Sequence, residues 1–486
     1  MNAHHTRRGA KLSRRQFLKL SALLAAVAAL KPSGNLVAAP GPGKPKVVHV
    51  YCQRATDWTF LTGWWGDHVD QDVVSKMVDR GLMELTGRRA RAAAWQALLP
   101  DYVSGQRVTI KVNLNNAHSV ADNDNVVDAT IEPVNAVIAG LKEIGVAASD
   151  IWVYDAVRSI PTRFKDGCDY PAVHLSGDST SNPQGFSDTQ KVSFQPPPGE
   201  PGLADQRISN VLVNADYLIN VPLMKKHGAA WVTLSFKNHF GSIEDCAALH
   251  EYTFPYEDDY TSAYSPLVDI YQNPHFGPKT VLTIGDGLFG SRSSQNSVPE
   301  PWTTFGDDSP RSLFFSQDPV AMDSVMYDFL EAEAGVREHG DDYLALAAQA
   351  GLGVFEHRNP GASNREEWYS QIDYRYLDID VYVKLRGWWR DGTAYLEWNK
   401  PAHPDLAGYR VCYSYGSGGD VDQGSSPIDV SDPNQLSIQL TGLTMYSLYQ
   451  FWIEPYRSGG VVLGESNHLP LMASDLLQHI PLVPAR

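Results

Sequence analysis

A chain of 486 residues exceeds one average domain, and 43% hydrophobic with 10% aromatic residues is ample for packed cores, so a disordered chain is excluded. Lys and Arg number 40 against 56 Asp and Glu; seven of the cations and none of the acids fall in residues 1–39, which leaves the remainder at a formal charge of −23. Nucleic acid and anionic membranes are bound through positive surface, so neither is an expected partner.

The first element in chain order is LSRRQFLKLSALLAAVAALKPSGNLVAA. Arg14-Arg15 precede Gln16, Phe17, Leu18 and Lys19, an uncharged run from Leu20 to Leu30, and the small-residue Val37-Ala38-Ala39. The run is too short to cross a hydrocarbon core that needs about 20 residues. It reads as a twin-arginine export signal over residues 1–39, handled by the twin-arginine machinery and removed from a mature protein without a transmembrane segment. The expected location is periplasmic or extracellular.

From residue 45 to about 370 the pattern alternates β and α. KVVHVYC, RVTIKVNL, IWVYD, DYLINVPL, TVLTIGD and RSLFFSQ are apolar strand candidates. DQDVVSKMVDRGLMEL carries Val73, Val74, Met77, Val78 and Leu82 at helical spacing, and IEPVNAVIAGLKEIG is a helix with Pro133 in its first turn and Gly145 at its stop. Strand, helix and strand at this spacing predict βαβ units and a mostly parallel sheet with flanking helices. Lys165 to Gln206, rich in Pro, Gly, Ser and Asp, interrupts the pattern as a lid, an insertion or a disordered excursion.

After about Gln371 short aromatic and β-branched runs recur without helices, predicting a β-sandwich over 375–472 and a tail over 473–486. LEWNKP, GYRV and LTGLTMYSLYQFWI resemble a fibronectin type III domain, with Trp398 in the core and Tyr449 as the corner tyrosine. Modules of this kind usually space or bind.

Ligand crevices of open α/β sheets lie beyond the carboxyl ends of the strands, and here those ends are polar. They carry Lys111, Asn113 and Asn115, then Asp155 and Arg158, then Lys225, Lys226 and His227, then Asp286, and lastly Asp318 and Asp323. Trp231 to Phe236 reads as a half-buried strand that leads to Lys237, Asn238, His239 and Gly241, the glycine permitting a close backbone approach or a positive dihedral. Lysine supplies a compact charge for a carboxylate or phosphate and, when desolvated, a base or Schiff-base amine. His227, Lys237 and Asp155 are therefore the catalytic candidates, and Lys111, Asn113, Lys226 and Asn238 the substrate-binding ones. Asp286, Asp318 and Asp323 are hard oxygen donors suited to a divalent ion such as Mg²⁺, Ca²⁺ or Mn²⁺. Each has a plainer reading: a lysine stem snorkelling to water, a helix N-cap for Asp318, a tight turn at Gly285-Asp286-Gly287. Cys52, Cys168, Cys246 and Cys412 lack CxxC spacing, so no iron–sulfur cluster is expected.

VTIKVNLN, IEPVNAVIAGLKEIGVAASDIWVYD, NADYLINVPLMKKHGAAWVTLSFKNHFGS, IGDGLFGS and SQDPVAMD together resemble the proteins grouped as domain of unknown function 362, over roughly residues 45–335. The resemblance implies that Lys111, Asn113, Asp155, Lys225 or Lys226 with His227, Thr233, Lys237, Asn238, Asp286, Asp318 and Asp323 are the recurrent polar positions. Many such proteins carry a cysteine-rich ferredoxin-type segment, which this sequence lacks.

The function expected from these residues is that of an exported enzyme acting on a small anionic or oxygenated metabolite at a Lys/His/Asn/Asp pocket. The alternatives are a surface protein that recognises a glycan or envelope component, and a divalent-metal-binding protein.

Overall fold

The structure is a computed structural model that describes residues 43–474 except positions 62, 123–124, 178–183, 201, 255–256, 258–259, 336–338, 381–382, 402, 404–405, 416–425 and 461. The export signal and nearly all of the expected C-terminal tail lie outside the described residues.

The apolar runs form one ten-stranded sheet. Its members are β1 (Lys46–Tyr51), β2 (Val108–Val112), β3 (Ile151–Tyr154), β4 (His174–Ser176), β7 (Tyr217–Val221), β8 (Leu223–His227), β9 (Trp231–Thr233), β10 (Thr280–Ser291), β11 (Ser312–Ser316) and β12 (Asp373–Asp378); β5 (Phe186–Val192) and β6 (Gln206–Ser209) pair separately. The order is β12-β1-β11-β10-β7-β2-β3-β4, with β8 joined to β10 and β9 to β8. Only β11 and β9 run antiparallel to their neighbours, so the sheet is mostly parallel.

Alternation along each strand divides the core in two. Val108, Ile110 and Val112 of β2, Ile151 and Val153 of β3, and Ile219 of β7 join a cluster with α1 (Gln71–Thr86), α2 (Arg91–Leu98) and α3 (Glu132–Glu143). Trp152, Tyr154, Leu218 and Phe314 point the other way, into a cluster with α4 (Pro266–Gln272), α5 (Pro319–Ala334) and α6 (Asp342–Gln349). Covered on both faces, these strands are buried throughout and mostly apolar. The helices begin and end where their sequences dictate. Asp70 caps α1 by accepting from Val73 N at 3.0 Å, and Gly87 closes it in the left-handed region at φ +66°.

Three expectations are corrected. The sheet continues past residue 370, because β12 pairs in parallel with β1 from Lys46↔Asp373 to Tyr51↔Asp378. The stretch Lys165–Gln206 is not one irregular excursion: its described residues include the strands β4 and β5, set among turns and irregular backbone. The stretch Trp231 to Phe236 is fully buried and leaves strand geometry after Thr233, turning helical over Ser235–Asn238.

Beyond β12 come two antiparallel sheets. One contains β13 (Leu385–Arg390), β14 (Thr393–Trp398) and β17 (Ser437–Leu440), the other β15 (Leu406–Tyr415), β16 (Ile428–Val430), β18 (Leu448–Arg457) and β19 (Leu469–Met472). Both contribute to one hydrophobic cluster that includes Leu396, Trp398, Val411 and Phe451.

Candidate functional site

The sheet has a topological switch beside β2. The chain runs outward from β2 to β3 and β4, then returns to place β7 on the other side of β2. Connections leave β2 and β7 in opposite directions, which opens a crevice at their carboxyl ends.

Polar side chains fill that place in register. Lys111 of β2 lies opposite Asn220 of β7 and Tyr154 of β3. Lys111 is fully buried, and its Nζ donates to Val112 O (2.5 Å), Asp155 Oδ2 (3.1 Å) and Asn238 Oδ1 (3.2 Å). Burial lowers its pKa, and Asp155 opposes the shift. Asp155 also accepts from Leu114 N at 3.3 Å and Val157 N at 3.2 Å, so both its oxygens are engaged. Asn220 ties the helical turn to the sheet, accepting from Asn238 Nδ2 at 2.7 Å and donating to Ser235 O at 3.0 Å. Gly241 closes over this floor at φ −79°; a Cβ there would lie 2.7 Å from Asp155 Oδ1 and 2.8 Å from Lys111 Nζ. Close approach, and not a positive dihedral, is what requires glycine.

Above the floor is a cavity of about 70 Å³ lined by Asn113, Asp155, Arg158, His227, Lys237 and His250, among others. Lys237 Nζ is 2.9 Å from His250 Nε2 and 3.6 Å from the centre of the Phe240 ring. His250 Nδ1 donates to Cys246 O at 3.0 Å, so the neutral ring presents the Nε2 lone pair to Lys237. Burial, with Arg158 nearby, pushes the Lys237 ammonium down to about 7. Burial and the Lys237 charge likewise push His250 down to about 4. His227 is held well below 6.5, first by burial and then by Lys237. Its Nδ1 accepts from Ala229 N at 3.0 Å, which leaves the ring proton on Nε2. Arg158 is fixed by bonds to Asn115 O (2.6 Å), Val157 O (3.0 Å) and Asn115 Oδ1 (3.4 Å).

Residues 108–328 match the family model described as Domain of unknown function (DUF362). The chain carries a DUF362 domain. Residues 11–31 match the TAT (twin-arginine translocation) pathway signal sequence, so the protein is exported across the membrane by that machinery. No helix among the described residues is long and apolar enough to cross a membrane. Among curated proteins none matches the chain. Similar solved structures include pectate lyase PelI from Erwinia chrysanthemi in complex with tetragalacturonic acid, at 17% identity over 18% of this chain and 27% of that one, TM-score 0.16. The fn3 domain of human contactin 1 matches at 12% identity over 20% of this chain and 79% of that one, TM-score 0.16. The chicken CNTN1 FN1-FN3 domains match at 17% identity over 21% and 35%, TM-score 0.17. Likenesses this slight bear on neither fold nor function.

The DUF362 domain brings together Lys111, Asn113, Asp155, His227, Lys237 and Asn238. Asn115, Arg158 and Thr233 line the same cavity, whereas Lys226, Asp286, Asp318 and Asp323 lie outside it. Lys226 is half-buried on the face of β8 opposite His227, because strand neighbours alternate. Its neighbour Lys225 is fully buried and donates to Val127 O at 2.6 Å, with Asp128 3.8 Å away. Asp286 lies inside the long strand β10, two residues from Ile284 and Leu288, and so faces the α3 side of the sheet, opposite Lys111. Burial raises it to about 7. The flanking glycines are not a turn: a Cβ on Gly285 would meet Met326 Sδ at 2.3 Å.

Asp318 and Asp323 are taken up by backbone. Asp318 Oδ1 accepts from Val320 N (2.9 Å) and Ala321 N (2.8 Å) as the N-cap of α5, and its Oδ2 accepts from Val354 N (3.0 Å). Asp323, fully buried, accepts from Ser235 N (2.8 Å), Phe236 N (3.3 Å) and Tyr343 Oη (3.0 Å). These bonds explain why the chain turns helical at Ser235. The three aspartates therefore do not form a cage for a divalent ion. Among the described residues the group spaced for a metal is Asp328, Glu331 and His357. That group does not fit one. Both His357 nitrogens are bonded, to Asp328 at 2.7 Å and Asp341 at 2.9 Å, and these two carboxylates raise the imidazole to about 10. A doubly protonated ring has no lone pair to donate.

His250 and Cys246 were not among the candidate site residues, and Arg158 was named at its strand end without a catalytic or binding role. Arg158 stands at a strand end like the others. Cys246 and His250 are four residues apart in an acidic loop, and only that helical spacing hinted that the carbonyl of one fixes the ring of the other.

Proposed function

We propose that this exported protein acts on a small anionic or oxygenated metabolite bound in the cavity at the β2/β7 switch. Arg158 and Asn113 would hold the anion, Asn238 and the Lys111–Asp155 pair would keep the floor rigid, and Lys237 with His227 would move the proton. One observation carries this reading. Three lysines are buried among the described residues; Lys111 and Lys225 face Asp155 and Asp128, whereas Lys237 faces a neutral imidazole within the cavity. A desolvated cation without an ion-pair partner is a standing attraction for an anion.

Three of five Arg158 N–H donors are engaged within the protein, which leaves two for a ligand in the cavity that Arg158 lines. The cavity, at about 70 Å³, is small and lined by polar groups, which supports a compact polar ligand. Calorimetric titration with short carboxylates and phosphate tests the reading. Arg158→Ala and Lys237→Ala should each weaken binding at least about tenfold, or ~1.4 kcal/mol. Affinity unchanged from the wild-type protein in both variants would reject it.

For the C-terminal sheets we favour a fibronectin type III-like sandwich that acts as a spacer. The reading is supported by Trp398 in the shared core and by Tyr449 Oη, which accepts from Thr444 N at 2.7 Å as a corner tyrosine does.

A further inference from the structure

The surroundings of Lys237 distinguish an anchoring lysine from a reacting one. An ammonium that merely holds an anion needs donors around it and water near it. Here the Nζ is buried and packed over the face of the Phe240 ring at 3.6 Å, an apolar wall whose π-face offers no hydrogen-bond acceptor of its own. Its polar neighbour is a proton acceptor, His250 Nε2 at 2.9 Å, whose tautomer is fixed by the Cys246 carbonyl. Among the described residues no carboxylate is paired with Lys237. The anion-holding role already has a better-suited group in Arg158, which lines the same cavity and is anchored through Asn115 and Val157.

We propose that Lys237 is a covalent residue that forms an imine with the carbonyl carbon of a short 2-oxo acid, whose carboxylate is held by Arg158. This rests on the reading of the cavity as a small-anion site and adds the substrate class and the bond formed. The neutral Nζ lone pair adds to the carbonyl carbon, and one of its two nitrogen-bound protons passes by way of His250 Nε2 to the carbonyl oxygen, giving a neutral carbinolamine. His250 Nε2 accepts the remaining nitrogen-bound proton and returns it to the hydroxyl, which leaves as water. Amine and carbonyl are consumed, and imine and water are formed, with no oxidant or reductant. A neutral His250 suits both transfers, since an imidazolium could not accept the proton. The lowered basicity of Lys237 is consistent with this geometry, as burial keeps part of the amine uncharged near neutrality. A small cavity that sets a lysine beside Arg158 suits a short oxo acid such as glyoxylate or pyruvate.

The test is reductive trapping on the full exported chain. Protein is incubated with pyruvate or glyoxylate and sodium borohydride, and the modified lysine is located by peptide mass spectrometry, alongside calorimetry with the same oxo acids without reductant. The expected result is one N-carboxyalkyl group per chain on Lys237, lost in Lys237→Arg, which keeps the charge and controls for folding, and retained in Lys226→Ala. Oxo acid that binds but leaves Lys237 unmodified, or label scattered over exposed lysines, would overturn the imine and leave the anion site standing. Absence of any binding would overturn both.

Discussion

Lys237, Lys111 and Gly241 show how single residues set the chemistry of this site. Lys237 loses its charge through desolvation, and about 7 is the pH at which half of it is neutral. Because only the neutral amine is nucleophilic, the trapping yield at fixed time should climb as pH rises from about 6 to about 8. An ordinary surface lysine, with a pKa near 10.4, would instead require pH 9 or more. A yield flat across that window, measured by peptide mass spectrometry, would contradict the placement of Lys237. Gly241 makes the second prediction at this scale. Gly241→Ala drives a methyl against Asp155 and Lys111, and overpacking of this kind costs about 1–3 kcal/mol. Chemical denaturation should show that loss together with weaker anion binding.

At the scale of elements, the site depends on a short helical turn held from outside its own sequence. Ser235–Asn238 carries Lys237 and Asn238, and its first two backbone amides are held by Asp323 of α5. Hydrogen bonds to a charged acceptor are worth about 1.5–3 kcal/mol each, and a buried donor left alone is costly. Asp323→Ala should therefore destabilise the protein by roughly 3 kcal/mol and abolish Lys237 labelling. Asp323→Asn, which keeps the shape and one acceptor, should lose less; thermal melts and trapping of both variants check the order.

This dependence explains what the sequence could and could not disclose. Apolar strands, the helices at Gln71–Thr86 and Glu132–Glu143, and the polar strand ends were legible because period and punctuation are local properties. Lys111, Asn113 and Asp155 were found together because all three follow strands that end at one crevice. Asp286 was misplaced because a sequence gives alternation without saying which face holds the site. Asp318 and Asp323 look like cation ligands until their backbone partners are seen, partners that lie up to 88 residues away. His250 enters from a loop whose position no local pattern encodes.

At the scale of the whole molecule, the C-terminal sheets are docked and not merely tethered. Arg80 of α1 bonds Glu465 at 2.6 Å, with side chains 14% and 25% exposed. Arg80 is thus intermediate between an exposed pair worth up to about 1 kcal/mol and a buried one whose breaking costs about 3–5. Arg80→Ala should cost roughly 1–2 kcal/mol in urea unfolding, without changing anion affinity. An equal loss of affinity would mean that the docked module participates in the site. Since β12 belongs to the large sheet, a truncation near residue 371 would strip an edge strand and confound that question.

The convergence of Lys237, Arg158 and His250 on one cavity is most directly tested by a crystal structure of the mature chain grown with pyruvate. Ligand density continuous with Lys237 Nζ, its carboxylate against Arg158, is the predicted result. A structure in which these three side chains face different sides, with pyruvate absent from the β2/β7 crevice, would contradict it.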